Sequence, residues 1–162
     1  MSPAAKAKIP NAITMSRFGL SVVVFAMLGL FSLESPRWWL DVALFIFLAA
    51  SLTDFVDGYL ARKWQVVSVF GRVVDPFVDK ILVLGTVVYL AGPTLGPLTG
   101  FTPTVVVILL ARELLVTALR SAVEGKGKSF AAEWSGKVKM TLQCVAIAVA
   151  MLYANHHLAL DD

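Results

Sequence analysis

Long apolar stretches recur along the chain and are separated by short segments that carry charges, glycine or proline. A helix needs about 20 mostly apolar residues to cross a bilayer, and each stretch approaches that length. The five stretches cover residues 13–32, 39–61, 73–91, 104–123 and 138–154. The pattern predicts an all-α fold, in which residues 1–162 form one membrane domain: a polytopic bundle of five transmembrane helices.

The amino-acid composition also favours a membrane protein. Of the 162 residues 58% are hydrophobic and 15% are charged, whereas about a quarter of the residues in a soluble domain are charged. The net charge of +3 is too small to indicate a nucleic-acid partner, and we expect none.

Basic residues are distributed unevenly among the connecting segments. The N-terminal segment and the segments 62–72 and 124–139 are rich in lysine and arginine, whereas the segment 92–101 carries no charge. Cytoplasmic loops carry the excess of basic residues in membrane proteins. We therefore expect the basic segments in the cytoplasm and, with five spans, the C-terminus outside.

The N-terminal segment precedes the first apolar stretch with two lysines. Residues 3–14 contain Lys6 and Lys8 and few large apolar groups, which is typical of either a short interfacial helix or a frayed terminus. Arg17 interrupts the apolar stretch, and no small-x-small cleavage site precedes Pro36. We expect a retained anchor and not a cleaved signal peptide.

Four carboxylates lie within the second and third predicted spans. They are Asp54, Asp57, Asp75 and Asp79. A charge inside a bilayer helix costs at least about 2.5–3.5 kcal/mol on insertion scales, so these groups need metal, protein partners or water. Spacings of three and four residues place each pair on one helix face. All four lie toward the cytoplasmic helix ends, which predicts a polar cavity that faces the cytoplasm.

The four carboxylates predict a site for divalent metal. Acidic groups this close would repel one another and become protonated unless cations lay between them. Oxygen ligands favour Mg²⁺ or Mn²⁺, and the absence of nearby Cys or His in the sequence argues against zinc. Two such ions can clamp a phosphoryl group, and a remaining carboxylate can accept the proton of an attacking hydroxyl.

Three further residues follow the first aspartate pair on the same predicted helix. Gly58 and Ala61 share its face and leave backbone exposed, so that a flat ligand can approach closely. Arg62 ends the helix at the membrane surface and can bind a phosphate with its guanidinium fork. These residues favour a substrate that has a flat group and a phosphate.

Two other interpretations of the aspartates remain open. They could form ion pairs with basic residues of the same region, namely Arg62, Arg72 and Lys80. They could also belong to a cation or proton transporter, where intramembrane acids are expected. Clustering on one side of the membrane, instead of along a path through it, favours phosphoryl chemistry over transport.

This constellation resembles the signature of the CDP-alcohol phosphotransferases. Eight specified residues fall within the 26 positions from Asp54 to Asp79, and every one is present. They are Asp54, Asp57, Gly58, Ala61, Arg62, Gly71, Asp75 and Asp79. The products in this family are a phosphatidyl alcohol and CMP.

The resemblance assigns roles to these residues. It implies that two ions of Mg²⁺ or Mn²⁺ are held by Asp54, Asp57, Asp75 and Asp79. It implies that Asp79 is also the general base. The CDP moiety would be held by Asp57, Gly58, Ala61, Arg62 and Gly71.

Three outer segments are similar to one branch of that family, which joins CDP-diacylglycerol to glycerol-3-phosphate. They cover residues 9–17, 111–120 and 135–143. The branch implies these two substrates, a bacterial inner membrane with the active site on the cytoplasmic side, and a homodimer. It usually has six spans, one more than we predict, and a shortened homologue with a scaffolding role is a further alternative. Serine, inositol phosphate and phosphatidylglycerol remain alternative acceptors.

Basic residues in the outer segments suit a small phosphorylated acceptor. Arg112 and Arg120 lie two turns apart on broadly one side of the fourth predicted span. Lys137 and Lys139 lie at the cytoplasmic start of the fifth span. We expect these four residues and Arg17 to bind the acceptor's phosphate.

Each of these basic residues also has an ordinary interpretation. Lys137 and Lys139 could anchor the helix at the membrane surface. Arg112 could pair with Glu113, and Arg17 could extend to the lipid headgroups.

Overall fold

The computed structural model describes residues 3–36, 38–64, 69–124 and 133–160, and it describes side chains for residues 12, 14–36, 38–53, 77–78, 80–123 and 138–158. This part of the chain contains six helices and no strand, which confirms the predicted all-α fold. The helices are α1 (Pro3–Gly29), α2 (Trp38–Trp64), α3 (Val69–Leu90), α4 (Gly96–Thr99), α5 (Pro103–Glu124) and α6 (Glu133–Leu160).

The five long helices coincide with the five apolar stretches of the sequence. Residues 3–14 belong to α1 without a break, so this segment is helical and continuous with the first stretch. The single-turn helix α4 lies in the uncharged segment 92–101 and was not predicted. It ends at Thr99 and is followed by Gly100, whose φ of 72° is the left-handed conformation that glycine adopts most easily.

The helices pack around one apolar core. α1 packs against α2 and α3, α6 packs against α2, α3 and α4, and α5 packs against α3. The core draws on every long helix and on the segment before α4. Its fully buried members include Val24, Phe47, Leu82, Leu95 and Ile147.

Small residues allow α1 and α3 to approach closely. A Cβ atom at Gly85 would overlap the ring of Phe25, so only glycine accommodates this packing. One turn further along α3, Tyr89 stacks on the same ring with a centroid distance of 5.6 Å. Close approach over small residues is a common device for joining helices in membranes.

The exterior of the bundle is strongly apolar. Large apolar side chains of α5 face outward, including Val107, Ile108, Leu114, Leu115 and Leu119. Such a surface is typical of helices that face lipid, because contiguous apolar patches of this kind are rare on soluble monomers.

One stretch of the described chain, Val138–Leu158 in α6, is long and apolar enough at 21 residues to cross a bilayer, judged by length and composition alone. The apolar stretches Thr14–Gly29, Trp38–Thr53 and Lys80–Leu90 are shorter, at 10–17 residues. The five spans and the polar cavity therefore stay predictions.

Hydrogen bonds join the helix ends that lie away from the aspartates. The amide Nδ2 of Asn155 in α6 donates to Asp41 Oδ1 in α2 at 2.7 Å. The indole nitrogen of Trp39 donates to the carbonyl oxygen of Met27 in α1 at 2.8 Å. These bonds fix α1, α2 and α6 relative to one another at that end.

Candidate functional site

The four aspartates lie on the backbone of two helices that pack together. Asp54 and Asp57 belong to the second half of α2, and Asp75 and Asp79 belong to the first half of α3. Because both segments are helical, spacings of three and four residues put each pair on one face, as predicted.

The side chains of the predicted metal and CDP ligands lie outside the described part. These residues are Asp54, Asp57, Gly58, Ala61, Arg62, Gly71, Asp75 and Asp79. Within the described part of the chain, no three His, Cys, Asp or Glu side chains come together as a metal site. The donor set itself, four carboxylates on two packed helices, has the chemistry that Mg²⁺ or Mn²⁺ requires.

Arg17 lies in the interior of the bundle, next to the start of the aspartate segment. Its side chain is fully buried, and its Nε donates to Thr53 Oγ1 in α2 at 3.5 Å. Thr53 directly precedes Asp54, and its hydroxyl donates to the carbonyl oxygen of Ala50 at 2.6 Å. An arginine that extends to the lipid headgroups would be exposed, so the burial of Arg17 argues against that interpretation.

A second group of polar residues surrounds Glu113 at the middle of α5. Lys139 of α6 forms an ion pair with Glu113 Oε2. Arg112 Nη1 lies 3.3 Å from the same oxygen, and Lys80 Nζ of α3 lies 3.8 Å from Glu113 Oε1. One carboxylate thus links cations from three helices. We refer to Lys80, Arg112, Glu113 and Lys139 as the basic cluster.

Lys80 has a second fixed contact in this cluster. Its Nζ donates to Thr117 Oγ1 at 2.7 Å, and the Thr117 hydroxyl donates to the carbonyl oxygen of Glu113 at 2.8 Å. Thr117 lies one turn after Glu113, so both face α3. Lys80 directly follows Asp79, the predicted base, so their side chains are attached to neighbouring positions of the α3 backbone.

The predicted acceptor residues divide between the two polar regions. Arg112 and Lys139 meet in the basic cluster, whereas Arg17 lies at the contact between α1 and α2. Arg120 is exposed and lies seven residues after Glu113, on the same face of α5. The Lys137 side chain lies outside the described part, although its backbone belongs to α6.

Lys80 and Glu113 entered the sequence analysis only as ion-pair alternatives and not as site residues. Each is a charged residue inside an apolar stretch, the same signal that singled out the aspartates. The ion pair between Arg112 and Glu113, one of the ordinary interpretations, is present. The additional contacts from Lys80 and Lys139 depend on how α3, α5 and α6 pack, and residue spacing along the sequence does not reveal this packing.

The basic cluster can bind a small anion. Its three cations and one carboxylate leave a formal excess of two positive charges. Guanidinium and ammonium groups form strong, charge-assisted hydrogen bonds with phosphate oxygens. The cluster therefore suits a phosphate monoester, which carries about two negative charges at neutral pH.

Comparisons with known proteins place the chain in a family. Residues 7–160 match the CDP-alcohol phosphatidyltransferase family. A relative from Bacillus subtilis is 35% identical over 153 residues, which cover 90% of this chain and 77% of the relative. A relative from Escherichia coli K12 is 35% identical over 142 residues, which cover 86% of this chain and 74% of the relative.

A third relative, from Mycoplasma genitalium, is 34% identical over 158 residues, and the match covers 89% of this chain and 64% of that relative. The chain thus spans slightly less than two thirds of this longer protein. All three relatives are named CDP-diacylglycerol–glycerol-3-phosphate 3-phosphatidyltransferase. The family match covers almost the whole chain, including all four aspartates and the basic cluster. This protein belongs to the CDP-alcohol phosphatidyltransferase family.

Proposed function

We propose that this protein transfers the phosphatidyl group of CDP-diacylglycerol to glycerol-3-phosphate, which gives phosphatidylglycerophosphate and CMP. The strongest support comes from the relatives named CDP-diacylglycerol–glycerol-3-phosphate 3-phosphatidyltransferase. They are about 35% identical to this protein over most of the chain. The complete aspartate signature supports the same chemistry. The positive excess in the basic cluster supports a phosphorylated acceptor over serine.

The proposed setting is the bacterial inner membrane, with five spans and the active site on the cytoplasmic side. Five long helices, an apolar exterior and the distribution of lysine and arginine support it. In this orientation the aspartate segments lie toward the cytoplasmic ends of α2 and α3, where a water-soluble acceptor can reach them. The acyl chains of the donor stay in the surrounding lipid.

Asp54, Asp57, Asp75 and Asp79 would hold two divalent ions, Mg²⁺ or Mn²⁺. Such ions, when bound, neutralise the diphosphate of the donor and stabilise the negative charge of the departing CMP. Gly58, Ala61 and Gly71 leave room for the nucleotide to approach the helix backbone. Arg62 adds a guanidinium fork for a phosphate of the donor.

Asp79 would act as the general base. Its carboxylate accepts the proton of the glycerol-3-phosphate hydroxyl as the hydroxyl oxygen attacks the β-phosphorus of the donor. A new P–O bond forms to the acceptor, and the bond between this phosphorus and the CMP oxygen breaks. Arg112 and Lys139 of the basic cluster would hold the acceptor's own phosphate during this step.

The test is CMP release by purified protein in lipid or detergent. We expect CMP only when CDP-diacylglycerol, glycerol-3-phosphate and Mg²⁺ are all present. Asp79→Asn should fold and lose activity by about 10²-fold or more, the usual contribution of a general base. Asp41→Asn is the matched control, because it makes the same change at the opposite end of α2. CMP release without an acceptor, or a fully active Asp79→Asn protein, would contradict the proposal.

A further inference from the structure

Glu113 has an unusual position for a carboxylate in an apolar helix. Its side chain is 12% exposed, yet it contacts cationic groups from α3, α5 and α6. Oε1 faces Lys80, and Oε2 faces Arg112 and Lys139. Both oxygens are therefore engaged, and the carboxylate is the single anion common to all three cations in the described part of the chain.

Without Glu113 these cations would repel one another. Lys80, Arg112 and Lys139 belong to three different helices, α3, α5 and α6. Among the described residues, Glu113 is the carboxylate that all three contact. Long basic side chains in a membrane protein otherwise extend toward the headgroups. The carboxylate thus supplies the attraction that keeps the cations converged at one place.

The geometry leaves the cations able to bind a second anion. Arg112 is 47% exposed, and its contact with Glu113 uses one nitrogen of the guanidinium group. Lys80 is 36% exposed and is oriented by Thr117 at 2.7 Å. An arginine carries five N–H donors and a lysine three, so donors remain for an incoming phosphate.

The position of Lys80 connects this cluster to the reaction. Consecutive Cα atoms lie about 3.8 Å apart, so the backbone of Lys80 adjoins that of Asp79, the proposed base. Adjacent residues of a helix point to different faces, so the two residues share a level along α3 and not a face. An acceptor whose phosphate is bound by Lys80 would therefore lie at the level of Asp79 along this helix.

We propose that Glu113 is a positioning residue that holds Lys80, Arg112 and Lys139 together as the binding site for the acceptor's phosphate, and that Lys80 belongs to this site. The inference rests on the proposed function and names how the acceptor is selected. The excess of two positive charges matches a dianionic phosphate monoester, and a neutral or zwitterionic alcohol leaves it uncompensated.

The test is a comparison of Michaelis constants in Glu113→Gln. We expect the KM for glycerol-3-phosphate to rise roughly tenfold or more, as for the loss of one charge-assisted contact. The KM for CDP-diacylglycerol should change less than about twofold, because Glu113 acts on the acceptor only. Glu113→Asp retains the charge and should recover part of the loss. Glu34→Gln, the same change at an exposed residue of the α1–α2 connection, is the matched control.

A double-mutant cycle that combines Glu113→Gln with Lys139→Gln distinguishes a positioning role of Glu113 from a general loss of structure. If Glu113 acts through Lys139, the combined variant should have a KM for the acceptor close to that of the worse single variant. Independent effects that multiply would contradict the inference. Equal increases in both Michaelis constants would also contradict it, since they would indicate a structural role. A lower KM for glycerol-3-phosphate in Glu113→Gln would likewise overturn the inference, because it would show that the carboxylate competes with the acceptor.

The activity of the wild-type protein shows whether the role of Glu113 or the proposed function itself is wrong. If wild type forms no lipid from CDP-diacylglycerol and glycerol-3-phosphate, the proposed function is wrong. If wild type is active and Glu113→Gln has an unchanged KM for the acceptor, only the role of Glu113 is wrong. Should Glu113→Gln not fold, the same pair of Michaelis constants in Glu113→Asp decides the question, with unchanged values overturning the inference.

Discussion

The Nε atom of Arg17 in α1 lies 3.5 Å from the hydroxyl oxygen of Thr53 in α2, one residue before Asp54. The arginine is fully buried, so its charge is kept inside the bundle at the level of the first aspartate. A buried charge is costly unless neighbouring groups compensate it. This position favours a role beside the diphosphate or acceptor over contact with lipid headgroups.

Replacing Arg17 should reduce activity even when the charge is kept. Arg17→Lys keeps the charge and loses the planar fork, and we expect kcat/KM for glycerol-3-phosphate to fall by about tenfold to a hundredfold, as for lost hydrogen bonds to a charged group. Phe18→Leu, at the exposed neighbouring position, is the control. Full activity of Arg17→Lys would show that only its charge matters.

Removal of metal should abolish activity reversibly. Because four carboxylates provide only oxygen ligands, we expect chelated protein to be inactive and Mg²⁺ or Mn²⁺ to restore it, whereas Zn²⁺ should restore less. The measurement is CMP release after chelation, dialysis and addition of each ion. Undiminished turnover in excess chelator would contradict the assignment of the aspartates.

Two glycines allow the packing of α1 against α3 to be tested. Gly85→Ala should destabilise the bundle by about 1–3 kcal/mol, because the new Cβ displaces the ring of Phe25. Gly19→Ala is the matched control, since its Cβ would meet nothing within 4 Å. The control should be neutral, or up to about 1 kcal/mol more stable through its higher helix propensity. The measurement is denaturant unfolding in micelles, and equal stabilities of the two variants would argue against close contact at Gly85.

The hydrogen bond between Asn155 and Asp41 should contribute to stability and not to substrate binding. Asp41→Ala removes the acceptor of the 2.7 Å bond, and we expect a loss of about 1–3 kcal/mol in unfolding free energy. Michaelis constants for both substrates should stay unchanged. An altered KM would show that this end of the bundle communicates with the active site.

The long helices could be predicted because runs of apolar residues are a local property of the sequence. The helical spacing of the aspartates followed in the same way, from three and four residues along one helix. The single-turn α4 was not foreseen, because it depends on the burial of Leu95 and the left-handed Gly100. The convergence on Glu113 could not be predicted either, since it requires α3, α5 and α6 to be packed.

The choice of acceptor can be measured directly. Purified protein would be given CDP-diacylglycerol and Mg²⁺ with one alcohol at a time: glycerol-3-phosphate, inositol phosphate, serine, phosphatidylglycerol or glycerol. Mass spectrometry would then identify each lipid formed. We predict phosphatidylglycerophosphate from glycerol-3-phosphate, with kcat/KM at least about a hundredfold above the unphosphorylated alcohols, as for a lost ionic contact of about 3 kcal/mol. A different lipid as the main product, or no lipid from any of these alcohols, would contradict the proposed function.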